Sequence, residues 1–241
     1  MSEEPPALLG RPRLHLRSTG STNDRARELA LAGAPHGTLV TAAEQTAGRG
    51  RHGRRWSAPP GSALLLSLLL RFAPGAPPAL LPLAAGVAVC DVAGADARVK
   101  WPNDVVVARG RALAKLAGIL IEGRPQDGWA VLGIGLNVAV ELSELPVQLR
   151  DSAATMGLSS AQIEPTLGAL LAALAQRLDE PARDTLAAWR ERDALRGRDV
   201  AWADGEGRAE GVDGAGRLIV ARADGGHQAL AAGEVHLLAP R

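Results

Sequence analysis

The sequence predicts an α+β fold with two domains, and three observations lead to that prediction. The chain has 241 residues and a mass of 24.9 kDa, and its 46% apolar residues are ample for one large domain and a small second one. Strand-like and helix-like segments are interspersed up to about residue 195, whereas from Gly197 only short β-like pieces occur. We therefore predict a mixed α+β domain over residues 11–195, followed by a small all-β barrel over residues 196–239.

The first half of the large domain is expected to alternate strands and helices. Residues 11–17 alternate apolar and polar side chains like an edge strand. A helix signal follows at once, because Ser21 or Thr22 can cap its start and Gly33 can end it. The remaining elements of this half are a strand over 38–44, a buried strand over 63–72 and, after a proline-rich turn, a buried helix over 79–93.

The second half combines short strands with two amphipathic helices. Strands are predicted around residues 99–107, 116–122 and 129–138, and helices near 165–179 and 182–195. Five further β-like pieces, separated by Gly and Asp turns, have the spacing of a small antiparallel barrel: DVAWAD, RAEGVD, RLIVARAD, HQALAA and EVHLL.

Composition and charge exclude several classes of protein. A formal net charge of +1 argues against a general polyanion binder, and five Trp with one Phe are too few aromatic residues for a surface that stacks bases. The uncharged run over residues 72–90 is interrupted by prolines and cannot span a membrane. The N-terminal segment lacks the pattern of a signal peptide, and the single Cys90 fits a reducing compartment. We therefore expect a cytoplasmic protein.

Lysine is rare in this chain, which marks two positions before any motif is considered. Of the 27 basic residues only Lys100 and Lys115 are lysines, so 25 are arginines. We interpret the two lysines as positions where the planar guanidinium cannot replace a compact ammonium. Lys115 lies among residues typical of a buried strand, where a charge is costly unless it meets an anion. The alternative is a side chain that reaches the surface.

The segment from Glu44 to Trp56, here called the Arg/Gly loop, is the sharpest local feature. Its glycines allow close backbone approach to an anion, and its arginines add charges that can bind phosphate or carboxylate. They are Gly48, Gly50, Gly53, Arg49, Arg51, Arg54 and Arg55. We interpret the segment as a loop that wraps a small anion. A solvated basic loop and an RNA contact stay open as alternatives.

A second motif, KWPNDV, concentrates a cation, an indole, an amide and a carboxylate within residues 100–105. Pro102 favours an extended preceding residue, which is typical of a strand that ends in a turn. Asn103 and Asp104 either complete that turn through their side chains or place Asp104 at a site as a metal ligand or base. Lys100 is expected to support the turn.

Five segments, taken in order, resemble the successive signatures of biotin protein ligase, also called biotin–[acetyl-CoA-carboxylase] ligase. They are STN at 21–23, GRGRHGRRW in the Arg/Gly loop, KWPNDV, KLAGILIE from Lys115, and GIGLNV at 133–138. The resemblance covers about residues 18–140, and the C-terminal β pieces are similar to that family's C-terminal barrel. It implies the biotinyl/lipoyl-ligase α+β fold with a Src-homology-3-like barrel. Only 20 residues precede STN, too few for the DNA-binding domain of the bifunctional repressor members. The monofunctional type is therefore expected.

The resemblance also implies a reaction and a set of site residues. In that family ATP activates biotin as biotinyl-5′-AMP, and a lysine of a biotin carboxyl carrier protein then takes the biotinyl group. The residues implied for biotin binding are Ser21, Thr22, Asn23, Gln45, Arg49, Gly50, Arg51 and Lys115. Those implied for binding ATP or the adenylate are Arg49, Arg51, Arg54, Trp56, Asn103, Lys115 and Asn137. Lys115 and Arg51 would stabilise charge during catalysis, and Asp104 would position or deprotonate the acceptor amine.

The implied substrates are ATP and biotin, with Mg²⁺ brought by ATP and Asp104 as the nearest candidate carboxylate. The sequence itself signals no metal site, because the histidines are scattered. The expected partner is the carrier domain of acetyl-CoA carboxylase or a related carboxylase, with no DNA or membrane partner, and the protein is expected to be a monomer or a homodimer. Two alternatives stay open: a lipoate–protein ligase of the same fold, and a non-enzymatic RNA-binding module that uses the Arg/Gly loop.

Overall fold

The computed structural model describes residues 9–73, 80–110, 112–231 and 233–238. It contains a seven-stranded mixed sheet flanked by helices and a five-stranded antiparallel sheet at the C-terminal end. This architecture confirms the predicted α+β class. Most of the proline-rich turn, and residue 239 at the predicted end of the barrel, lie outside the described residues. The residue boundaries of the two domains stay a prediction.

Seven strands form the large sheet: β1 (Arg13–Leu16), β2 (Leu39–Ala42), β3 (Ala63–Arg71), β4 (Arg98–Lys100), β5 (Asp104–Arg109), β6 (Ala112–Arg124) and β7 (Trp129–Asn137). Their order is β1-β2-β3-β7-β6-β5-β4. β1 and β2 run parallel at one edge, and the other pairings are antiparallel. The edge position of β1 is therefore confirmed. The residues predicted as strand around 99–107 form the hairpin β4–β5, and KWPNDV contains its turn.

Among the residues that the structure describes, five α-helices accompany this sheet: α1 (Thr22–Leu31), α2 (Leu81–Ala93), α3 (Val147–Arg150), α4 (Ile163–Asp179) and α5 (Ala182–Glu191). Ala26 of α1 shares a buried cluster with Leu69 of β3. Leu68 points to the other face of the sheet and belongs to the main core with α2, α4 and α5. β3 is thus covered on both faces, which explains its continuous apolar sequence. Within the described ranges, no helix has the length and apolar character that crossing a bilayer requires.

The start of α1 is fixed by the Arg/Gly loop. Ser21 occupies the N-cap position, as predicted, but its hydroxyl makes no capping hydrogen bond. The N–H of Thr22 instead donates to Oε1 of Gln45 at 2.7 Å. A side chain from the loop therefore replaces the expected local cap. At the other end of α1, Gly33 has a φ of +84°, a conformation that favours glycine.

Five strands form the small sheet: β8 (Asp199–Trp202), β9 (Gly205–Val212), β10 (Leu218–Ala221), β11 (His227–Leu230) and β12 (His236–Leu237). They pair in the order β11-β10-β9-β8-β12 and correspond to the five predicted pieces. Trp101, in the β4–β5 turn, donates a hydrogen bond from Nε1 to the carbonyl of Gly216 at 3.0 Å. The small sheet is therefore attached directly to the turn that carries Asn103.

Candidate active site

One cavity of about 360 Å³ lies between the start of α1, the Arg/Gly loop and strands β5 to β7. Every residue that the sequence analysis assigned to biotin binding, ATP binding or catalysis lines it: Ser21, Thr22, Asn23, Gln45, Arg49, Gly50, Arg51, Arg54, Trp56, Asn103, Asp104, Lys115 and Asn137. These residues come from five separate segments of the chain, so the fold brings them together. Their chemical roles stay predictions.

A hydrogen-bonded group of polar side chains forms one wall of the cavity. Thr22 donates from its N–H and its hydroxyl to Gln45 Oε1, at 2.7 and 2.9 Å. The hydroxyl of Ser67, on β3, lies 2.8 Å from Thr22 Oγ1 and 2.5 Å from Asn23 Oδ1. Ser67 is fully buried, and it is absent from the site residues predicted from the sequence. The signal was available, because Ser67 is the single polar residue in the apolar run ALLLSLLL.

Arg49 is held by two carboxylates. Its Nη2 lies 2.7 Å from Glu122 Oε2 and 2.8 Å from Asp24 Oδ1. Asn23 donates from Nδ2 to the same Glu122 oxygen at 2.8 Å. The resemblance implies that Arg49 meets the carboxylate and phosphate of the substrates, whereas the structure shows acidic partners within the protein. Glu122 ends the KLAGILIE segment, and it is absent from the site residues predicted from the sequence.

Two further arginines attach the Arg/Gly loop to its surroundings. Arg51 donates to Asn103 Oδ1 at 3.1 Å, and Asn103 donates from Nδ2 to the carbonyl of Ile119 at 2.8 Å. Burial lowers the pKa of Arg51, although a guanidinium remains charged at neutral pH. Arg54 forms an ion pair with Glu234, next to the last strand of the small sheet. The loop is therefore attached both to the β4–β5 turn of the large sheet and to the segment before the last strand of the small sheet.

Both lysines of the chain line the cavity. Lys115 Nζ lies 2.7 Å from Asp104 Oδ1 and 5.8 Å from the centre of the Trp56 ring. The side chain of Lys115 is 36% exposed, so the strand presents its ammonium to the cavity rather than burying it. Lys100 pairs with Asp104 across β4 and β5. Burial lowers the pKa of Lys100. The sequence predicts that Lys100 supports the KWPNDV turn. The structure shows in addition that Lys100 lines the cavity.

The floor of the cavity is formed by β6 and β7, and the glycines of β7 let other side chains pack directly against the sheet. A Cβ at Gly135 would lie 2.5 Å from Cε2 of Trp56, and one at Gly133 would overlap Oδ1 of Asn23. The indole of Trp56 therefore rests directly on the sheet. The resemblance implies that Trp56 binds ATP or the adenylate, and the structure places its ring in the cavity wall.

Asn137, at the end of β7, presents an unused acceptor. Its Nδ2 donates to the carbonyl of Ala154 at 2.8 Å, whereas its buried Oδ1 has no hydrogen-bond partner among the described residues. A buried amide oxygen of this kind is costly unless a ligand donor meets it. This geometry suits the predicted role of Asn137 in binding ATP or the adenylate. In the described part of the chain, no three His, Cys, Asp or Glu side chains group together as metal ligands.

The cavity combines two chemical environments. The wall of Thr22, Asn23 and Gln45 offers hydrogen-bonding groups without net charge. The remaining lining contains six cationic side chains: Arg49, Arg51, Arg54, Arg55, Lys100 and Lys115. Such an arrangement can hold a neutral polar head group at one side and bring two anions together at the other, because the cations suppress their mutual repulsion.

Comparison with protein families agrees with this site. The model of the biotin/lipoate A/B protein ligase family matches residues 16–138, a range that contains every predicted site residue. The model of the biotin protein ligase C-terminal domain matches residues 197–238, which carry the small sheet.

Individual relatives show how far the similarity extends. A biotin–[acetyl-CoA-carboxylase] ligase from Paracoccus denitrificans is 34% identical over 245 residues, covering 91% of this chain and 98% of that protein. The bifunctional ligase/repressor BirA from Bacillus spizizenii is 36% identical over 165 residues, covering 64% of this chain and 49% of that protein. The chain thus spans about half the length of several curated relatives that it matches.

The fold agrees with these sequence matches. A biotin protein ligase from Aquifex aeolicus in complex with biotin and ATP aligns with a TM-score of 0.78 and 25% identity, covering 95% of this chain and 99% of that one. The aligned region therefore includes both sheets. Together with the family model and the Paracoccus relative, it confirms the resemblance seen in the motifs: the chain belongs to the biotin protein ligase family.

Proposed function

We propose that this protein is an ATP-dependent biotin–protein ligase, which activates biotin as biotinyl-5′-AMP and transfers it to a lysine of a biotin carboxyl carrier protein. The observation that carries the proposal is the convergence, in one cavity, of a neutral hydrogen-bonding wall and a set of cations. The family and the ligand-bound Aquifex relative support biotin and ATP as substrates. The proposal covers the ligase reaction alone and includes no promoter binding.

The first step joins two anions. A carboxylate cannot acylate an amine directly, because its leaving group would be oxide, so it must first become a mixed anhydride with the α-phosphate of ATP, which releases pyrophosphate. Arg51 and Lys115 are proposed to neutralise the carboxylate and the α-phosphate, with Arg49 and Gly50 beside them. Arg54, Trp56, Asn103 and Asn137 are proposed to hold the rest of the nucleotide.

The head group of biotin is proposed to bind at the neutral wall. Its ureido ring offers both donors and an acceptor, which match the side chains of Ser21, Thr22 and Gln45. Asn23 stays in this set, although its amide is already engaged by Ser67 and Glu122. Asn23 is therefore proposed to shape the wall as well as to contact the biotin head group.

Mg²⁺ is proposed to accompany ATP rather than to occupy a site built by the protein. Asp104 is the one carboxylate among the described residues that line the cavity, and Mg²⁺ in nucleotide sites is held largely by phosphates and water. The residues present therefore fit an ion that neutralises the phosphate oxygens, with Asp104 as a contact at its edge.

The second step needs an uncharged acceptor amine. A lysine amine with a reference pKa of about 10.4 is almost fully protonated at pH 7. Asp104 Oδ1 lies 2.7 Å from Lys115 Nζ. We propose that Asp104 positions or deprotonates the incoming amine. Asp104→Asn should slow transfer from preformed adenylate to the carrier, and an unchanged transfer rate would remove Asp104 from this role. We further propose that the acceptor is the carrier domain of acetyl-CoA carboxylase or a related carboxylase. The protein is proposed to act in the cytoplasm, as a monomer or a homodimer.

The proposed activation is tested by incorporation of labelled pyrophosphate into ATP. Biotin with Mg²⁺ should support this exchange, and lipoate at the same concentration should not. Exchange that depends on lipoate but not on biotin would assign the protein to the lipoate branch of the family. An absence of exchange with either acid would overturn the proposal.

A further inference from the structure

The geometry points to Glu122 as a positioning residue that holds Arg49, and with it the Arg/Gly loop, beside the cavity. Glu122 belongs to none of the predicted site sets. The inference rests on the proposed function, because the loop is proposed to retain the adenylate. It assigns to Glu122 no contact with substrate and no part in the chemistry.

The contacts of Glu122 join two separate elements. Glu122 lies on β6, and its side chain is 26% exposed. One oxygen, Oε2, accepts a hydrogen bond from Arg49 Nη2 at 2.7 Å and another from Asn23 Nδ2 at 2.8 Å. Arg49 belongs to the loop and Asn23 to the first turn of α1. The carboxylate therefore ties the loop and the helix start to the same strand.

The Asn23 side of this contact is rigid. Asn23 is only 3% exposed, and its Oδ1 is within 2.5 Å of the buried Ser67 hydroxyl. The amide of Asn23 packs directly against Gly133 of β7, where an added Cβ would overlap it. Because Asn23 cannot move easily, Glu122 is oriented from the interior, and it transmits that orientation to Arg49.

On the Arg49 side, the two acids engage a single nitrogen of the guanidinium. Glu122 and Asp24 both contact Nη2, whereas Nε is buried and has no hydrogen-bond partner among the described residues. The two acids therefore fix the guanidinium through one nitrogen and leave another donor unused. This pattern is that of a positioned cation rather than of one whose donors are all engaged.

Glu122 is a stronger anchor than Asp24. The side chain of Asp24 is 47% exposed, against 26% for Glu122, and Asp24 also has Arg27 as a second partner at 3.6 Å. Exposed ion pairs are weakened by solvent and salt. Removing the charge of Glu122 should therefore release Arg49 more than removing the charge of Asp24.

The test compares Glu122→Gln with Asp24→Asn. Glu122→Gln keeps the length of the side chain and an oxygen that can accept from Asn23, and it removes the ion pair with Arg49. We expect the release of preformed biotinyl-5′-AMP to become about five-fold faster and the KM for biotin to rise about as much, with kcat changed less than about two-fold. Asp24→Asn should give about a two-fold effect. An unchanged release rate in Glu122→Gln would overturn the inference.

A double-mutant cycle separates positioning of Arg49 from a general loss of structure. If Glu122 acts through Arg49, Glu122→Gln should add no further effect in an Arg49→Gln background. Independent, multiplying effects of the two substitutions on the release rate would contradict the inference. Thermal unfolding of each variant checks that the comparison is made between folded proteins.

Hydrogen exchange supplies a readout that does not depend on enzyme activity. Within the loop, the N–H of Gly50 donates to the carbonyl of Arg54, and the N–H of Trp56 donates to the carbonyl of Gly48. They should exchange faster in Glu122→Gln, and to the same extent in Arg49→Gln. Unchanged exchange in both variants would overturn the inference. If the wild-type protein made no adenylate, the proposed function would fail, while this exchange measurement would still decide whether Glu122 holds the loop.

Discussion

The floor of the cavity and the Arg/Gly loop beside it are held in place by different forces. In the floor, β6 and β7 pair along most of their length, and neighbouring side chains such as Leu132 and Leu136 are completely buried. The loop has few backbone pairings, and its cations are partly exposed. Two of these cations are held by ion pairs, Arg49 with Glu122 and Arg54 with Glu234.

This difference separates the shape of the site from its charge. Packing and backbone hydrogen bonds depend little on ionic strength, whereas ion pairs between partly exposed side chains are screened by salt. The floor therefore sets the shape of the cavity, and the loop supplies most of its positive charge. Substitutions in the floor should therefore lower activity more than substitutions that release the loop. Only the effects of the loop substitutions should depend strongly on salt.

The largest effect is expected from Lys115→Arg, in the floor strand β6. Arginine keeps the charge but replaces an ammonium 2.7 Å from Asp104 with a planar group that cannot occupy the same point. We expect biotin-dependent pyrophosphate exchange to fall about 100-fold. Arg124→Lys on the same strand is the matched control, because Arg124 is exposed and its ion pair with Asp127 is long, at 3.6 Å. Near-wild-type exchange in Lys115→Arg would contradict its bridging role.

A smaller effect is expected from Gly133→Ala, which changes the shape of the floor without changing charge. The added methyl would displace Asn23 from the neutral wall. Because Asn23 belongs to the wall proposed to bind the biotin head group, we expect the KM for biotin to rise about ten-fold, which corresponds to about 1.4 kcal/mol of binding free energy. Gly168→Ala in α4 is the control, because a Cβ there meets nothing within 4 Å. It should leave KM unchanged and stabilise the fold by about 0.5–1 kcal/mol. An unchanged KM in Gly133→Ala would show that the wall adapts.

The smallest effect is expected where the loop meets the C-terminal domain. Arg54→Gln or Glu234→Gln should speed release of the adenylate about three-fold at low salt, because each removes one partly exposed ion pair. At high salt the wild-type rate should approach that of the variants. Arg217→Gln, which removes an ion pair within the C-terminal domain, should leave the rate unchanged. An effect of Arg54→Gln that is independent of salt would contradict an electrostatic attachment.

Much of the cavity could be predicted from the sequence because its residues occur in short motifs. In KWPNDV, for example, the proline and the Asx residues predict a turn, and the structure places Asn103 and Asp104 in or beside that turn, at the cavity. The apolar run of β3 also predicted a buried strand correctly. Local chemistry was sufficient in both cases, because neighbouring residues determine the feature.

The residues that support the site could not be predicted in the same way. Glu122 acts on Arg49 across 73 positions of sequence, and its position on a strand gives no sign of that partner. Ser67 stands out in the sequence as a polar residue in an apolar run, but its contacts with Thr22 and Asn23 arise only because β3 passes under α1. The capping of α1 by Gln45 in place of Ser21 has the same cause, since a distant side chain displaced the local one.

The central claim, that one cavity carries out both activation and transfer, is tested most directly by the mass of a carrier. The protein would be incubated with biotin, Mg²⁺-ATP and a biotin carboxyl carrier domain, and the carrier would then be measured by mass spectrometry. We predict a single biotinyl group on the carrier's acceptor lysine, and none when ATP is omitted or when Lys115→Arg replaces the wild type for a matched short incubation. A carrier that remains unmodified with the wild-type protein would contradict the account.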